Sequence, residues 1–298
     1  MSLPTLRSIA FLTGPLFAIL VAYSMHLSGW DAKACWTGAV VILCVVWWIF
    51  EPIPIPATSI IPLAVFPLVG VLSKEEVAKA YGSDLILLML GGFMISVAMA
   101  HSGAHRRLAL QLIKLIGGDS SRRIVFGFMC ACAVLSMWIS NTATALMMLP
   151  LALAIIDQSN DKKLAIPLLL AIAYGCSIGG LGTPIGTPPN LVFMQEYQNF
   201  TGTTVSFTQW MSWGLPVVLI MVPLASMWLT RNLSYVGGLT MPPVGPWRPE
   251  EQRVLIIFGF TVLAWVTRTE PFGGWSTWLD MRGATDATVA LLLQSLCF

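Results

Sequence analysis

Charge is what this sequence has least of. Asp, Glu, Lys and Arg make up 10% of its 298 residues, where soluble domains average about a quarter. With 56% apolar residues, that scarcity excludes an ordinary water-soluble domain, which needs polar side chains to cover its surface. No run of basic residues occurs and the formal net charge is only +2, so nothing in the chain would track a phosphate backbone and nucleic acid is excluded as a partner. Histidine is scarce too, with only His26, His101 and His105. The cysteines, Cys35, Cys44, Cys130, Cys132, Cys176 and Cys297, lie within or at the ends of apolar stretches. No Cys or His near Cys130 and Cys132 completes a ligand set, so these thiols read as packing residues, and neither a Cys/His metal site nor a cofactor is expected. No small-residue cleavage site followed by a polar chain comes after the apolar stretch behind Arg7, so residues 8 to 27 read as a membrane helix and not as a secretory signal.

What the chain does have is apolar runs cut to bilayer thickness. Spans are expected near 9–27, 34–50, 55–72, 84–100, 210–229 and 254–267. Pro52, Pro54 and Pro56 read as a non-helical connection after Glu51. Trp30, Trp36, Trp47, Trp48, Trp210 and Trp213 fall near span ends, where amphipathic rings settle. If the N-terminus is cytoplasmic, Arg7, Arg106, Arg107, Lys114, Arg122, Arg123, Lys162, Lys163, Arg231, Arg248 and Arg253 all lie on that side, which takes most of the 16 basic residues.

Two stretches refuse the simple span. Ile124 to Ile156 carries no charge, is too long for one span and short for two, and is most polar in its middle, Ser140-Asn141-Thr142-Ala143-Thr144. A re-entrant hairpin with arms of about 15 residues would bring that tip near mid-membrane. Leu164 to Gln195 is also uncharged, and Gly179-Gly180-Leu181-Gly182-Thr183-Pro184-Ile185-Gly186-Thr187-Pro188-Pro189-Asn190 breaks it. Broken backbone at membrane depth is tolerated only inside protein or beside a polar cavity, so this break should line a site. The hairpin tip combines the carbonyl end of one half-helix with the N–H end of another, which suit a hard cation and an anion respectively, and the break from Gly186 to Asn190 would face it with groups of the same kind. Neither uncharged stretch contains Lys, Arg or His. A divalent anion there cannot be offset by side-chain charge, so bound cations must offset it, and if these are sodium ions then anion affinity depends on them.

The Ser136-x-x-x-Ser140-Asn141-Thr142 run, the Gly186-Thr187-Pro188-Pro189-Asn190 run, and Glu51-Pro52-Ile53-Pro54-Ile55-Pro56 followed by Pro62 to Leu72 resemble the divalent anion:sodium symporter family over roughly Trp36 to Gln198. The resemblance implies an all-α membrane protein with inverted repeats and about seven or eight transmembrane helices. It also implies a dicarboxylate or sulfate as the small anionic substrate, sodium as the coupling ion, elevator motion, and a homodimer at full length. It assigns sodium binding to Ser136, Ser140, Asn141 and the Gly186 carbonyl, and substrate binding to Ser140, Asn141, Thr142, Thr187 and Pro188. The expected organisation is an N-terminal membrane helix (1–33), a first repeat (34–230, with hairpin 124–156 and broken helix 164–198), a cytoplasmic linker (231–253) and the start of a second half (254–298).

A second Ser-Asn-Thr hairpin and a second Thr-Pro-Pro-Asn break, both part of the family pattern, do not occur in this sequence. Thr285, Ala287, Val289, Leu291 and Phe298 match Thr37, Ala39, Val41, Leu43 and Phe50 in register, a hint of a second repeat beginning. The expectation is a truncated chain that does not transport alone, multi-pass in the plasma membrane, or in the inner membrane of a bacterium. Rival readings are a channel or non-transporting scaffold, and an intramembrane serine hydrolase built on Gly175-Cys176-Ser177-Ile178-Gly179, which lacks a histidine placed to serve as its base.

Overall fold

The computed structural model describes residues 3–117, 120–159, 163–233, 244–269, 273–281 and 283–297. Lys162, assigned above to a cytoplasmic loop, and Phe298, used in the repeat match, lie outside the described residues, as does the stretch 234–243 of the expected linker. Helices account for nearly all regular structure among the described residues. Among the described residues, five segments are long and apolar enough to cross a membrane: Leu6–Leu27, Ala32–Phe50, Lys74–Ser102, Asn141–Gln158 and Phe207–Thr230. The chain divides into two compact units, Met1–Ser83 and Asp84–Phe298.

The first unit holds α1 (Leu3–Leu27), α2 (Ala32–Phe50), α3 (Ile55–Leu68) and α4 (Lys74–Tyr81). The α1–α2 pair is closed by Trp47, whose ring stacks on Phe11 at 5.5 Å and whose Nε1 donates to the Ala10 carbonyl at 3.2 Å. Trp47 is therefore a packing and hydrogen-bonding residue as well as a ring near a span end. Asp31 caps α2 by accepting from the Ala34 N–H at 3.2 Å, and Glu51 ends the helix in a left-handed conformation at φ 46°. One expectation is corrected here. Pro56 belongs to the first turn of α3 and not to the connection, because a proline there gives up only an N–H that has no helical partner anyway. The expected span 55–72 also stops at Leu68, where the chain turns through Gly70 at φ 69°.

The second unit holds α5 (Asp84–Ser102), α6 (Ala104–Ile116), α7 (Ser121–Ser136), α8 (Asn141–Gln158), α9 (Ala165–Gly179), α10 (Pro188–Thr201), α11 (Phe207–Thr230), α12 (Pro249–Val266), α13 (Gly274–Trp278) and α14 (Asp286–Gln294). Its spine is α7, whose Val125, Phe128, Met129, Ala131 and Cys132 are fully buried. A helix apolar on all sides needs neighbours all round, and α6, α9 and α11 supply them. The α7–α9 crossing is as close as backbones allow: a Cβ on Gly179 would lie 2.2 Å from the Ala133 carbonyl oxygen, and one on Gly175 2.7 Å from that of Met129. Gly175 and Gly179 of the Gly-x-Ser-x-Gly run are thus contact glycines, while Ser177 lies exposed inside α9.

Three polar ties join distant parts of this unit. Arg107 on α6 is buried, and its Nε donates to Glu251 Oε2 at 2.7 Å. Its other nitrogens donate to the Gly245 and Pro246 carbonyls, and its guanidinium lies 4.4 Å from the Trp247 ring centroid. Residues 244–248 of the expected linker are therefore fastened to α6. On the opposite flank of α12, Arg268 Nε donates to Asp286 Oδ1 at 2.6 Å and Trp265 Nε1 donates to the Asp286 carbonyl at 2.9 Å. Thr285 caps α14 and donates to Asp84 Oδ1 at 2.7 Å, so Asp84 binds α14 in addition to standing at the positive end of α5.

Candidate functional site

The stretch expected to form a hairpin contains α7 and α8, and residues 137–140, the expected tip, lie between them. The break between α9 and α10 covers residues 180–187, as the glycine and proline pattern predicts. Glycines add backbone freedom that opposes helix and remove side-chain contacts that would support it, and Pro188-Pro189 fit only at the start of a new one. Ser140 is the N-cap of α8, its Oγ accepting from the Ala143 N–H at 3.3 Å, which explains why the polar centre of the uncharged run is a helix start. The arms contain 16 and 18 residues, longer than expected, and α8 reaches about 27 Å.

Tip and break meet directly. Ser136, fully buried at the end of α7, has its Oγ 2.6 Å from the Cys176 carbonyl and within bonding reach of Asn141 Oδ1. A Cβ on Gly180 would stand 3.1 Å from Asn141 Oδ1, and one on Gly186 would stand 2.4 Å from the Gly180 carbonyl oxygen. Asn141, Gly180 and Gly186 thus form one continuous contact that side chains larger than hydrogen at the two glycines would obstruct. Fully buried Thr183 donates from Oγ1 to the Met137 carbonyl. Buried Asn190 donates from Nδ2 to both the Gly180 and Thr183 carbonyls at 2.8 Å. Trp210 Nε1 holds the Leu181 carbonyl at 2.9 Å. Behind the tip, Trp138 stacks on Phe207 at 6.1 Å and Trp265 at 6.4 Å, with Phe258 edge-on at 5.2 Å. This aromatic wall supports the tip from its apolar side.

Among the residues assigned to binding, Ser136 and Gly186 are buried; Ser140, Asn141 and Thr187 are half-buried; Thr142 and Pro188 are exposed. Ser136 and Asn141 touch each other, and Gly186 reaches them through Gly180. Thr142 and Pro188 lie on the open side, each in the first turn of a helix. One expectation about the break changes: Pro188 and Pro189 have no N–H, and the Asn190 N–H is bonded to the Thr187 carbonyl at 3.1 Å. Within Gly186 to Asn190 the break therefore offers fewer N–H donors than expected, while the Gly180, Leu181, Thr183 and Thr187 carbonyls already accept hydrogen bonds. Donors for an anion come from the first turn of α8, from Thr142, and from the Asn141 amide.

Asn190, Thr183 and Trp138 were not marked by sequence reasoning as site residues, although all three hold the site in shape. Asn190 could have been found from its place directly after two prolines, where an amide side chain can bond broken backbone that those prolines cannot. Thr144 lies one turn beyond Asn141, buried, and its hydroxyl has no hydrogen-bond partner among the described residues. It adds an unsatisfied oxygen to the same face of α8. Arg268 is already engaged by Asp286, so the tip's surroundings gain no free positive charge from it.

Comparison with known proteins adds the following. Residues 45–296 match the model of a family described as citrate transporter. The chain is 36% identical over 312 aligned positions, covering 97% of its length, to proteins named sodium-dependent dicarboxylate transporter SdcS from Staphylococcus aureus strains USA300, NCTC 8325 / PS 47 and COL. It spans 59% of the length of these curated relatives.

Proposed function

Since this chain belongs to the citrate transporter family, we propose that it serves sodium-coupled symport of a divalent anion, either a dicarboxylate such as succinate or malate or else sulfate, and that it binds its ligands but does not complete transport by itself. In this reading sodium binds among Ser136, Ser140, Asn141 and the Gly186 carbonyl. The anion lies against Ser140, Asn141, Thr142, Thr187 and Pro188. The contact of the α7–α8 tip with the break through Asn141, Gly180 and Gly186 carries this assignment. It gathers oxygens of neutral groups around one point, which suits sodium, and it leaves the positive end of α8 for a carboxylate. Re-entrance of the α7–α8 pair, elevator motion, a homodimer, and a plasma-membrane location with a cytoplasmic N-terminus complete the proposal. The relatives named as sodium-dependent dicarboxylate transporters support the choice of ion and of substrate class.

The test is thermal unfolding of the purified chain in detergent, with sodium or choline chloride at equal ionic strength. Sodium at about 100 times its dissociation constant should add about 2.7 kcal/mol of stability, and succinate should add more only when sodium is present. Ser136→Ala and Asn141→Ala should lose the sodium increment whatever they do to the choline baseline. Equal midpoints in sodium and choline would refute the assignment and favour a channel or scaffold.

A further inference from the structure

A recess of about 410 Å³ lies where the last turn of α11 meets the first turn of α7. Arg122, Arg123 and Arg231 line its rim, and Phe126, Pro223 and Met227 form its apolar wall. Arg122 donates to the Leu233 carbonyl at 3.2 Å and Arg231 stacks over Trp228 at 3.8 Å. No carboxylate lies within ion-pair distance of any of the three guanidiniums among the described residues. Two of the arginines occupy the first turn of α7, with no acidic residue there, so they add positive charge to the positive end of a helix dipole, an unfavourable placement that an anion would relieve. The segment Phe207–Thr230 is long and apolar enough to cross a membrane, and Arg231 follows it directly, so the recess opens at headgroup depth. Pro223 lies about two turns further in, about 12 Å along α11, and Met227 and Trp228 are exposed on the same helix. Basic rim and apolar wall are thus stacked in the order of a lipid's phosphate and acyl chains.

We propose that this recess binds an anionic glycerophospholipid, its phosphate among Arg122, Arg123 and Arg231 and its acyl chains along Phe126, Pro223 and Met227. A free phosphate would satisfy the rim but leave the apolar wall bare. A zwitterionic lipid would cover the wall but bring no net charge to the rim. Native mass spectrometry of the detergent-purified full chain, with phosphatidylglycerol or phosphatidylcholine of matched acyl chains, separates these cases. Phosphatidylglycerol should be retained at least ten-fold better, and inorganic phosphate should not displace it. Arg123→Gln with Arg231→Gln, which leaves the Arg122–Leu233 bond in place, should weaken its retention about thirty-fold, at about five-fold per guanidinium. Arg106→Gln, an exposed basic site elsewhere on the chain, should leave it unchanged. Equal retention of the two lipids, displacement by inorganic phosphate, or undiminished retention in the double variant would each overturn the proposal. The comparison of lipids on the unaltered chain decides the matter even if the double variant fails to fold.

Discussion

Asn190 shows how much one side chain does at the break. Its amide reaches two carbonyls that no helix satisfies, Gly180 and Thr183, both at 2.8 Å. Asn190→Ala would leave the Gly180 carbonyl without this donor and the Thr183 carbonyl with only the Gly186 N–H at 3.3 Å, and should cost about 1–3 kcal/mol, read as a lower thermal midpoint in detergent. Asn190→Asp keeps the shape but turns a donor into an acceptor facing two carbonyls, and should be at least as harmful. Gly179 makes a steric case of the same kind. A Cβ there would meet backbone atoms of Ala133 at 2.2 to 2.7 Å, and backbone in a packed helix cannot step aside as a flexible side chain can. Gly179→Ala should therefore destabilise by about 1–3 kcal/mol. Gly259→Ala, where nothing lies within 4 Å, should be neutral or slightly stabilising, because alanine favours helix. The same measurement on both variants separates a contact glycine from an incidental one.

Helix ends and interruptions were the most legible elements, because they depend on local chemistry. Glycine and proline density announced the break at 180–187, and the polar centre of an uncharged run announced the α8 start. Pro56 was misjudged because counting prolines does not distinguish a connection from a first helical turn, where proline fits. The tie between Arg107 and Glu251, 144 residues apart in sequence, had no local signature. Each residue reads alone as one more basic or acidic charge near a span end. Trp138 likewise gained its role only from the rings of Phe207, Phe258 and Trp265 that the fold brings to it. Breaking the Arg107–Glu251 tie is an element-scale prediction. Arg107→Ala leaves a buried carboxylate with Arg248 as its only remaining cationic partner among the described residues, and should cost about 3–5 kcal/mol in thermal unfolding. The same region should respond to pH in two separate windows. Burial, with repulsion from Arg106, lowers the pKa of His105 below 6.5 despite its bond to the Met99 carbonyl. The unfolded chain then takes up the proton first as pH falls, so stability should decline below about pH 6.5, and His105→Gln should flatten that part of the profile. Burial of Glu251 raises its pKa, but the Arg248 N–H and the Arg107 and Arg248 guanidiniums outweigh that and hold it below 4.5. Its contribution should be present above pH 4.5 and be lost as pH falls further, a step that Glu251→Gln should remove.

At the scale of the whole molecule, the decisive feature is the absence of a free basic side chain from the two uncharged stretches that meet. Family membership gives a coarse identity, and the proposed reading of Ser136, Asn141, Gly180 and Gly186 would give that identity a physical mechanism. In that reading a hydroxyl- and amide-bearing tip held against the break takes a hard cation, and the cation in turn would make room for negative charge at the start of α8. Such coupling is reciprocal: if sodium strengthens anion binding by some factor, the anion strengthens sodium binding by the same factor. The most direct measurement is equilibrium binding of labelled succinate to the purified chain as choline replaces sodium at constant ionic strength. The predicted result is a fall in affinity of at least about ten-fold, within the usual range of coupling energies. Affinity unchanged in choline would contradict the claim that cations, and not side chains of this protein, offset the charge of its cargo.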